Sequence, residues 1–226
     1  FQKYALISAA VVDEAGRLVG QLTVDDIIHI IQEEASEDIM RLSGAGEGDI
    51  NEPILLTVRS RLSWLVVNLG TAMVAASVVG MFQGAISKFA LLAVLMPIVS
   101  GMGGNAGTQT LAVVVRALAT NQLTSSNTLR MIGRELRIAL ANGLSLGVLI
   151  GSGVTLVFHN PLLGAVIATA MVINNLMAGF AGIMVPVTLE RLRVDPAVSS
   201  AVFVTTATDV MGFFSFLGLA VLTGLG

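Results

Sequence analysis

Ala197-Val-Ser-Ser-Ala-Val-Phe-Val-Thr-Thr-Ala-Thr-Asp209-Val-Met-Gly-Phe-Phe-Ser-Phe-Leu-Gly-Leu-Ala-Val-Leu-Thr-Gly224 reads as a membrane-crossing helix with one acidic residue near its middle. The run exceeds the roughly 20 residues needed to span about 30 Å of hydrocarbon. An ionised carboxylate at that depth costs on the order of 2.5–3.5 kcal/mol even on the gentler insertion scale. No Lys, Arg or His lies at comparable depth in any other apolar run, so an ion pair within the chain does not offset that cost. Three readings of Asp209 stay open: a neutral structural carboxyl, a proton relay, and a water-filled path visited by cations. Thr205, Thr206 and Thr208 favour the cation path, because their hydroxyls can orient water around the charge.

Working outward, four more apolar segments meet the same length requirement, at 62–82, 86–117, 137–158 and 162–187. With 54% hydrophobic and 12% charged residues the chain is far from the average soluble domain. The fold class is an all-α polytopic membrane protein with five transmembrane helices per subunit, preceded by a short α/β segment. Arg59 and Arg61 precede the first span, Arg116, Arg130, Arg134 and Arg137 flank the second and third, and Arg191 and Arg193 join the last two. The opposite ends hold only Lys88. The positive-inside rule then places the amino terminus in the cytoplasm and the carboxyl terminus outside the cell membrane.

The second segment is longer than a straight crossing requires, and Pro97 with Gly101, Gly103 and Gly104 predicts an irregular helix there. Met96-Pro-Ile-Val-Ser-Gly-Met-Gly-Gly-Asn-Ala-Gly-Thr-Gln-Thr110 puts glycine, amide and hydroxyl groups where apolar ones are expected. Such groups are tolerated at membrane depth where protein or water satisfies them, which points to pore lining or pore support. Gly143, Gly147 and Gly151 in the third span, by contrast, read as close helix packing. Asn174 and Asn175 in the fourth span, with Pro186 beyond, are either a second polar site or an interhelical hydrogen bond.

The first 52 residues differ in kind. They hold 11 of the 15 acids, since only Glu135, Glu190, Asp195 and Asp209 follow. Strand-like runs at Ala5 to Val12 and Arg17 to Leu22 flank the turn Asp13-Glu14-Ala15-Gly16. Thr23 and Asp26 resemble a capping box that opens an amphipathic helix, whose outer side carries Asp25, Glu33, Glu34, Glu37 and Asp38. Gly44, Gly46, Gly48 and Pro53 form the linker that follows. Phe1 starts in what reads as mid-strand, so the chain reads as a fragment. With no cysteine, metal ligation falls to oxygen or to His29 and His159.

Among hard cations, Mg2+ keeps several waters and is held through one or two carboxylates. One Asp209 does not balance a dication. A two-fold homodimer with the fifth helix on its axis brings two carboxylates to one hydrated ion, so the pore is expected at the dimer interface.

Three groups of residues together closely resemble the MgtE family of magnesium channels and transporters. They are Pro97-x6-Gly104-Asn105-x-Gly107-x-Gln109, Asn174-Asn175 with Pro186, and Thr205-Thr206-x2-Asp209-x2-Gly212. Val11-Val-Asp-x3-Arg17-Leu-Val-Gly-x2-Thr23-x-Asp25-Asp26 looks like the end of a CBS domain, and the acidic helix looks like the family's plug helix. The resemblance implies three parts: residues 1–22 as the end of the CBS domain, 23–53 as plug helix and linker, and 54–226 as the five-helix membrane domain. It further implies a homodimer in membrane lipid that conducts Mg2+, with Asp209 and carbonyls near Thr205 at the ion. Pro97, Gly104, Asn105, Gly107, Gln109, Asn174, Asn175, Pro186, Thr206 and Gly212 would line or support the pore. Regulatory Mg2+ would bind acids such as Asp25, Asp26, Glu33, Glu34, Glu37 and Asp38 and close it. The family's amino-terminal helical domain and most of its paired CBS module have no counterpart here. Nucleic acid is not an expected partner, and enzymatic activity is not expected. The rivals are an intramembrane aspartyl protease, which wants two carboxylates sharing a proton, and a proton-coupled transporter of another solute.

Overall fold

The computed structural model describes residue 1 and residues 4–31, 53–120, 122–123, 127–196 and 200–225. Strands β1 (Ser8–Val12) and β2 (Leu18–Thr23) pair antiparallel, with Ser8 opposite Thr23 and Val11 opposite Gly20. Asp13 makes the turn between them: its Oδ1 accepts from the backbone N–H of Ala15 at 2.9 Å and of Arg17 at 2.8 Å. Gly16 completes it at φ +77°, a conformation that suits a residue without Cβ. Helix α1 starts at residue 24 and is described to residue 31. Asp26 Oδ2 accepts from the Thr23 hydroxyl at 2.6 Å and from the Thr23 backbone N–H at 2.9 Å, which is the expected box. The hydroxyl first, the backbone amide next and then nearby His29 hold the Asp26 carboxyl below its usual value. Glu33, Glu34, Glu37 and Asp38 lie outside the described residues.

The remaining helices are α2 (Ile54–Met81), α3 (Gln83–Lys88), α4 (Leu91–Ala119), α5 (Thr128–Phe158), α6 (Pro161–Arg191) and α7 (Ser200–Leu222). Among the described residues, five helices, all of these except α3, are long and apolar enough to cross a membrane. They coincide with the five expected segments, but α2 and α5 begin well before residues 62 and 137. Arginine and leucine are good helix formers, so a helix runs on through charged residues where its apolar stretch has stopped.

α6 is the centre of the bundle. It packs against α4, α5 and α7, while α2 leans mainly on α7 and buries only Ala75. Glycine makes the approach of α5 to α6 possible. A Cβ at Gly143 would stand 3.0 Å from Val172 Cα, one at Gly147 2.8 Å from the Ala168 carbonyl, and one at Gly151 2.8 Å from the Gly164 carbonyl. Those three glycines are therefore packing surfaces, as their spacing suggests. The turn from α5 to α6 is tight. His159 sits at φ +51°, and Asn160 Oδ1 caps α6 by accepting from the Leu163 N–H at 3.0 Å, with Pro161 in the first turn.

The irregular backbone expected around Pro97 is not found. α4 is continuously helical from Leu91 through Pro97 to Ala119, and the chain bends instead at Phe89 and Ala90, between α3 and α4. Pro97 lies in the second turn of α4, where only the carbonyl of one upstream residue loses its partner. Of the glycines that suggested a break, Gly101 faces open space and Gly103 serves contact, as does Gly107 one turn on. A Cβ at Gly103 would fall 2.1 Å from Asn174 Nδ2, and one at Gly107 2.6 Å from a Val204 methyl.

Candidate functional site

The site is the junction of α4, α6 and α7. Asp209 on α7 is half-buried and accepts a hydrogen bond from the hydroxyl of Ser100 on α4. Its carboxylate is therefore turned toward protein. One turn further along α7, Gly212 leaves room for Asn174 of α6, whose Nδ2 would stand 2.8 Å from a Cβ placed there. Asn174 Nδ2 donates to the Val99 carbonyl at 2.8 Å, next to Ser100. A backbone carbonyl only accepts, so this bond fixes the amide's orientation and leaves Oδ1 as the opposite end. That Oδ1 is fully buried and has no hydrogen-bond partner. The junction thus brings together a carboxylate and a hydroxyl, hard oxygens of the kind that Mg2+ or its hydration water binds, beside a fully buried, unpaired amide oxygen.

The threonines around Asp209 are bonded to their own helix. Thr205 Oγ1 donates to Ala201 O at 2.9 Å and Thr206 Oγ1 to Val202 O at 2.6 Å. Thr208 is buried and donates to Thr205 O at 2.9 Å. Hydroxyls so engaged keep acceptor lone pairs for water. Gly104 lies against Thr205 and Thr208, where a Cβ would meet them at 3.8 and 3.9 Å, and Gly107 is buried against Val204. Pro186 is buried within α6. Pro97, Asn105 and Gln109 are exposed on one face of α4, separated by whole multiples of four residues.

The junction accordingly gathers Asp209, Asn174 and Gly212, with Gly104, Gly107, Thr205 and Thr206 beside them. Asn175 stands apart. It donates through Nδ2 to Met171 O at 2.9 Å on its own helix and faces α5, where a Cβ at Gly143 would come 3.1 Å from its Cβ. Gln109 joins Asn175 in a separate cavity between α4, α5 and α6. Asp25 and Asp26 lie at the start of α1, and among the described residues no three acids or histidines form a metal cluster.

Residues 96–219, which contain this whole junction, match the MgtE family, described as divalent cation transporters. The chain belongs to the MgtE family. It is 34% identical over 220 residues to the magnesium transporter MgtE of Bacillus subtilis, covering 97% of this chain and 49% of that one. It is 36% identical over 217 residues to the magnesium transporter MgtE of Enterococcus faecalis, covering 96% and 48%. The magnesium transporter MgtE of Thermus thermophilus is 37% identical over 214 residues, covering 93% and 47%. The chain spans about half the length of these curated MgtE relatives. MgtE is a family of transporters, not of enzymes.

Two side chains of this MgtE fold escape the sequence reading. Ser100 is one serine among many, and nothing in its spacing announces a partner 109 residues away. Glu135 is buried, only 5% exposed, although it stands between Arg134 and Arg137 in what reads as a charged flank. A helical pattern carried back from 137 to 128 would have put Glu135 on the face of Ala139 and Gly143, which α6 covers.

Proposed function

We propose that this chain is the membrane part of a magnesium transporter or channel of the plasma membrane, and that Asp209 meets the hydrated cation during its passage. The observation that carries this reading is the Asp209 carboxylate inside a membrane-length helix, turned toward Ser100 of α4 and one helical turn from the glycine that admits the buried Asn174. A carboxylate beside water and hard oxygen donors can exchange part of an ion's outer hydration without stripping it, which suits a cation that dehydrates reluctantly. The names of the relatives support Mg2+ as the ion. Backbone carbonyls near Thr205 help to hold the hydrated ion. Pro97, Gly104, Asn105, Gly107, Gln109, Asn174, Asn175, Pro186, Thr206 and Gly212 line or buttress the path.

Two copies related by a two-fold axis supply the second carboxylate that a dication needs, and the pore lies between them. Residues 1–22 end a CBS domain, 23–53 form the acidic plug helix and linker, and 54–226 form the membrane domain. The amino terminus faces the cytoplasm and the carboxyl terminus the exterior, following the arginines. Cytoplasmic Mg2+ on the acids of the plug segment closes the pore. An aspartyl protease would need a second carboxylate against Asp209. Glu135, the one fully buried acid among the described residues, lies on α5, which packs on α6 and makes no substantial contact with α7.

Mg2+ flux into proteoliposomes tests the reading. Asp209→Ala is expected to abolish selective Mg2+ flux while leaving a folded oligomer. Unchanged uptake by that variant removes the site, and Mg2+ flux that dissipates an imposed pH gradient stoichiometrically replaces it with a proton-coupled mechanism.

A further inference from the structure

Glu135, Ala139 and the glycines of α5 are buried, and the glycines lie against α6, so the opposite side of α5 is an outer wall of the bundle. Arg130, Arg134 and Arg137 stand on that side, within an arc of about 60° at roughly 100° per residue. All three are exposed. Leu144, 52% exposed, and Val148, 70% exposed, continue the same line into the apolar part of the helix. Among the described residues nothing covers this face, because α5 packs on α6 and makes no substantial contact with another helix.

Charge on the face is unbalanced and directed. Arg134 Nη1 meets Oε1 of the buried Glu135 at 3.0 Å, and among the described residues no carboxylate pairs with Arg130 or Arg137. Three cations against one anion leave a surplus of two. Arg137 Nε donates to the Gly133 carbonyl at 2.9 Å, one turn back toward the start of α5. That bond draws the guanidinium out of the apolar stretch toward Arg130, and it uses one of five N–H donors, so four remain for a partner. The seven residues from Arg130 to Arg137 rise about 10.5 Å, a gap that two arginine side chains reaching toward each other close around one anion. A surface that is basic at one end and apolar along the same line has the polarity of a phospholipid, and the guanidinium fork matches phosphate oxygens.

We propose that this face of α5 binds one anionic phospholipid, with its phosphate between Arg130 and Arg137 and an acyl chain along Leu144 and Val148. Glu135 holds Arg134 back from the phosphate, so the two unpaired arginines carry the contact. The proposal needs only that α5 crosses the membrane, not that Asp209 meets a cation.

Native mass spectrometry of the whole chain in detergent, titrated with phosphatidylglycerol, tests it. Arg130→Gln combined with Arg137→Gln is expected to weaken binding of one lipid per chain by about thirtyfold, fivefold per arginine. Arg191→Gln combined with Arg193→Gln removes the same charge from the loop after α6 and is expected to leave that lipid in place. Glu135→Gln releases Arg134 and is expected to tighten binding by about fivefold, a gain that a folding defect does not produce. Phosphatidylcholine, which has the same chains and phosphate but no net charge, is expected to bind more weakly, and millimolar inorganic phosphate is expected not to displace phosphatidylglycerol. Equal losses in the two double variants would mean diffuse attraction and overturn the proposal. So would unchanged binding in Arg130→Gln with Arg137→Gln, displacement by inorganic phosphate, or disulfide cross-linking of Val148→Cys between two copies in the membrane, which would show that a second chain covers this face.

Discussion

The hydroxyl of Ser100 decides which way the Asp209 carboxylate faces. A hydrogen bond to a charged group is worth about 1.5–3 kcal/mol, and here it joins two helices that approach each other through glycine. Ser100→Ala should leave the bundle folded, since the side chain is half-buried, but should free the carboxylate to rotate away from the ion path. Mg2+ flux in proteoliposomes is expected to fall by roughly tenfold, with Ser100→Thr retaining most of it. Flux equal to wild type in Ser100→Ala would mean that Asp209 is oriented by something else. Asp209 itself is legible in the sequence because a single acid in an apolar run carries a cost that something must offset. Ser100 is not, because a serine inside a helix usually bonds its own backbone, as Ser63, Ser77 and Ser145 do here. Glu135 hides for a different reason: hydropathy reads charges as helix flanks, whereas burial depends on which face the neighbouring helix covers.

Helices meet here through missing side chains. Gly147→Ala drives a methyl to within 2.8 Å of the Ala168 carbonyl, a backbone atom that cannot step aside, whereas Gly153→Ala, with nothing within 4 Å, points into open space. The first is expected to destabilise the chain by about 1–3 kcal/mol and lower its melting temperature. The second should be neutral or stabilising in the same thermal scan, because alanine is the better helix former. Equal melting of the two variants would mean that α5 and α6 are not in the contact described. Spacing of four foretold this contact correctly in α5, whereas in α4 the cluster Gly101, Gly103 and Gly104 beyond Pro97 misled, because the helix runs straight through it and Gly103 packs instead. Glycine spacing does not distinguish a break from a contact, since both need the absence of a Cβ. Away from the membrane, Asp26 gives the start of α1 a pH signature. Its carboxyl is held below the ordinary value of 3.8 in the folded chain, so the Thr23 bonds add stability that is complete above that value. The contribution is lost as pH falls through the lowered value. The Thr23 amide NMR shift should therefore hold from neutrality to about pH 4 and move below it, and Asp26→Asn should abolish the movement.

For the assembled chain the open question is what covers α4. Pro97, Gly101, Asn105 and Gln109 follow one another at four-residue spacing, and all are exposed within one chain. Gln109 has the lateral cavity beside it, whereas Asn105 is exposed among the described residues. A carboxamide does not face hydrocarbon without cost, so this stripe is expected to meet water or polar protein surface. The proposed two-fold pore supplies both, because it places α4 and α7 of each subunit around an aqueous path. The absence of cysteine makes the idea testable with one introduced thiol. Asn105→Cys is expected to react with a charged, membrane-impermeant methanethiosulfonate added from water, and more slowly as Mg2+ rises and occupies the path. Val148→Cys should not react, because Val148 is an apolar side chain on α5 that is 70% exposed and is expected to face lipid. An unreactive Asn105→Cys beside a reactive Val148→Cys would place water on the opposite side of the bundle and move the pore away from α4 and α7.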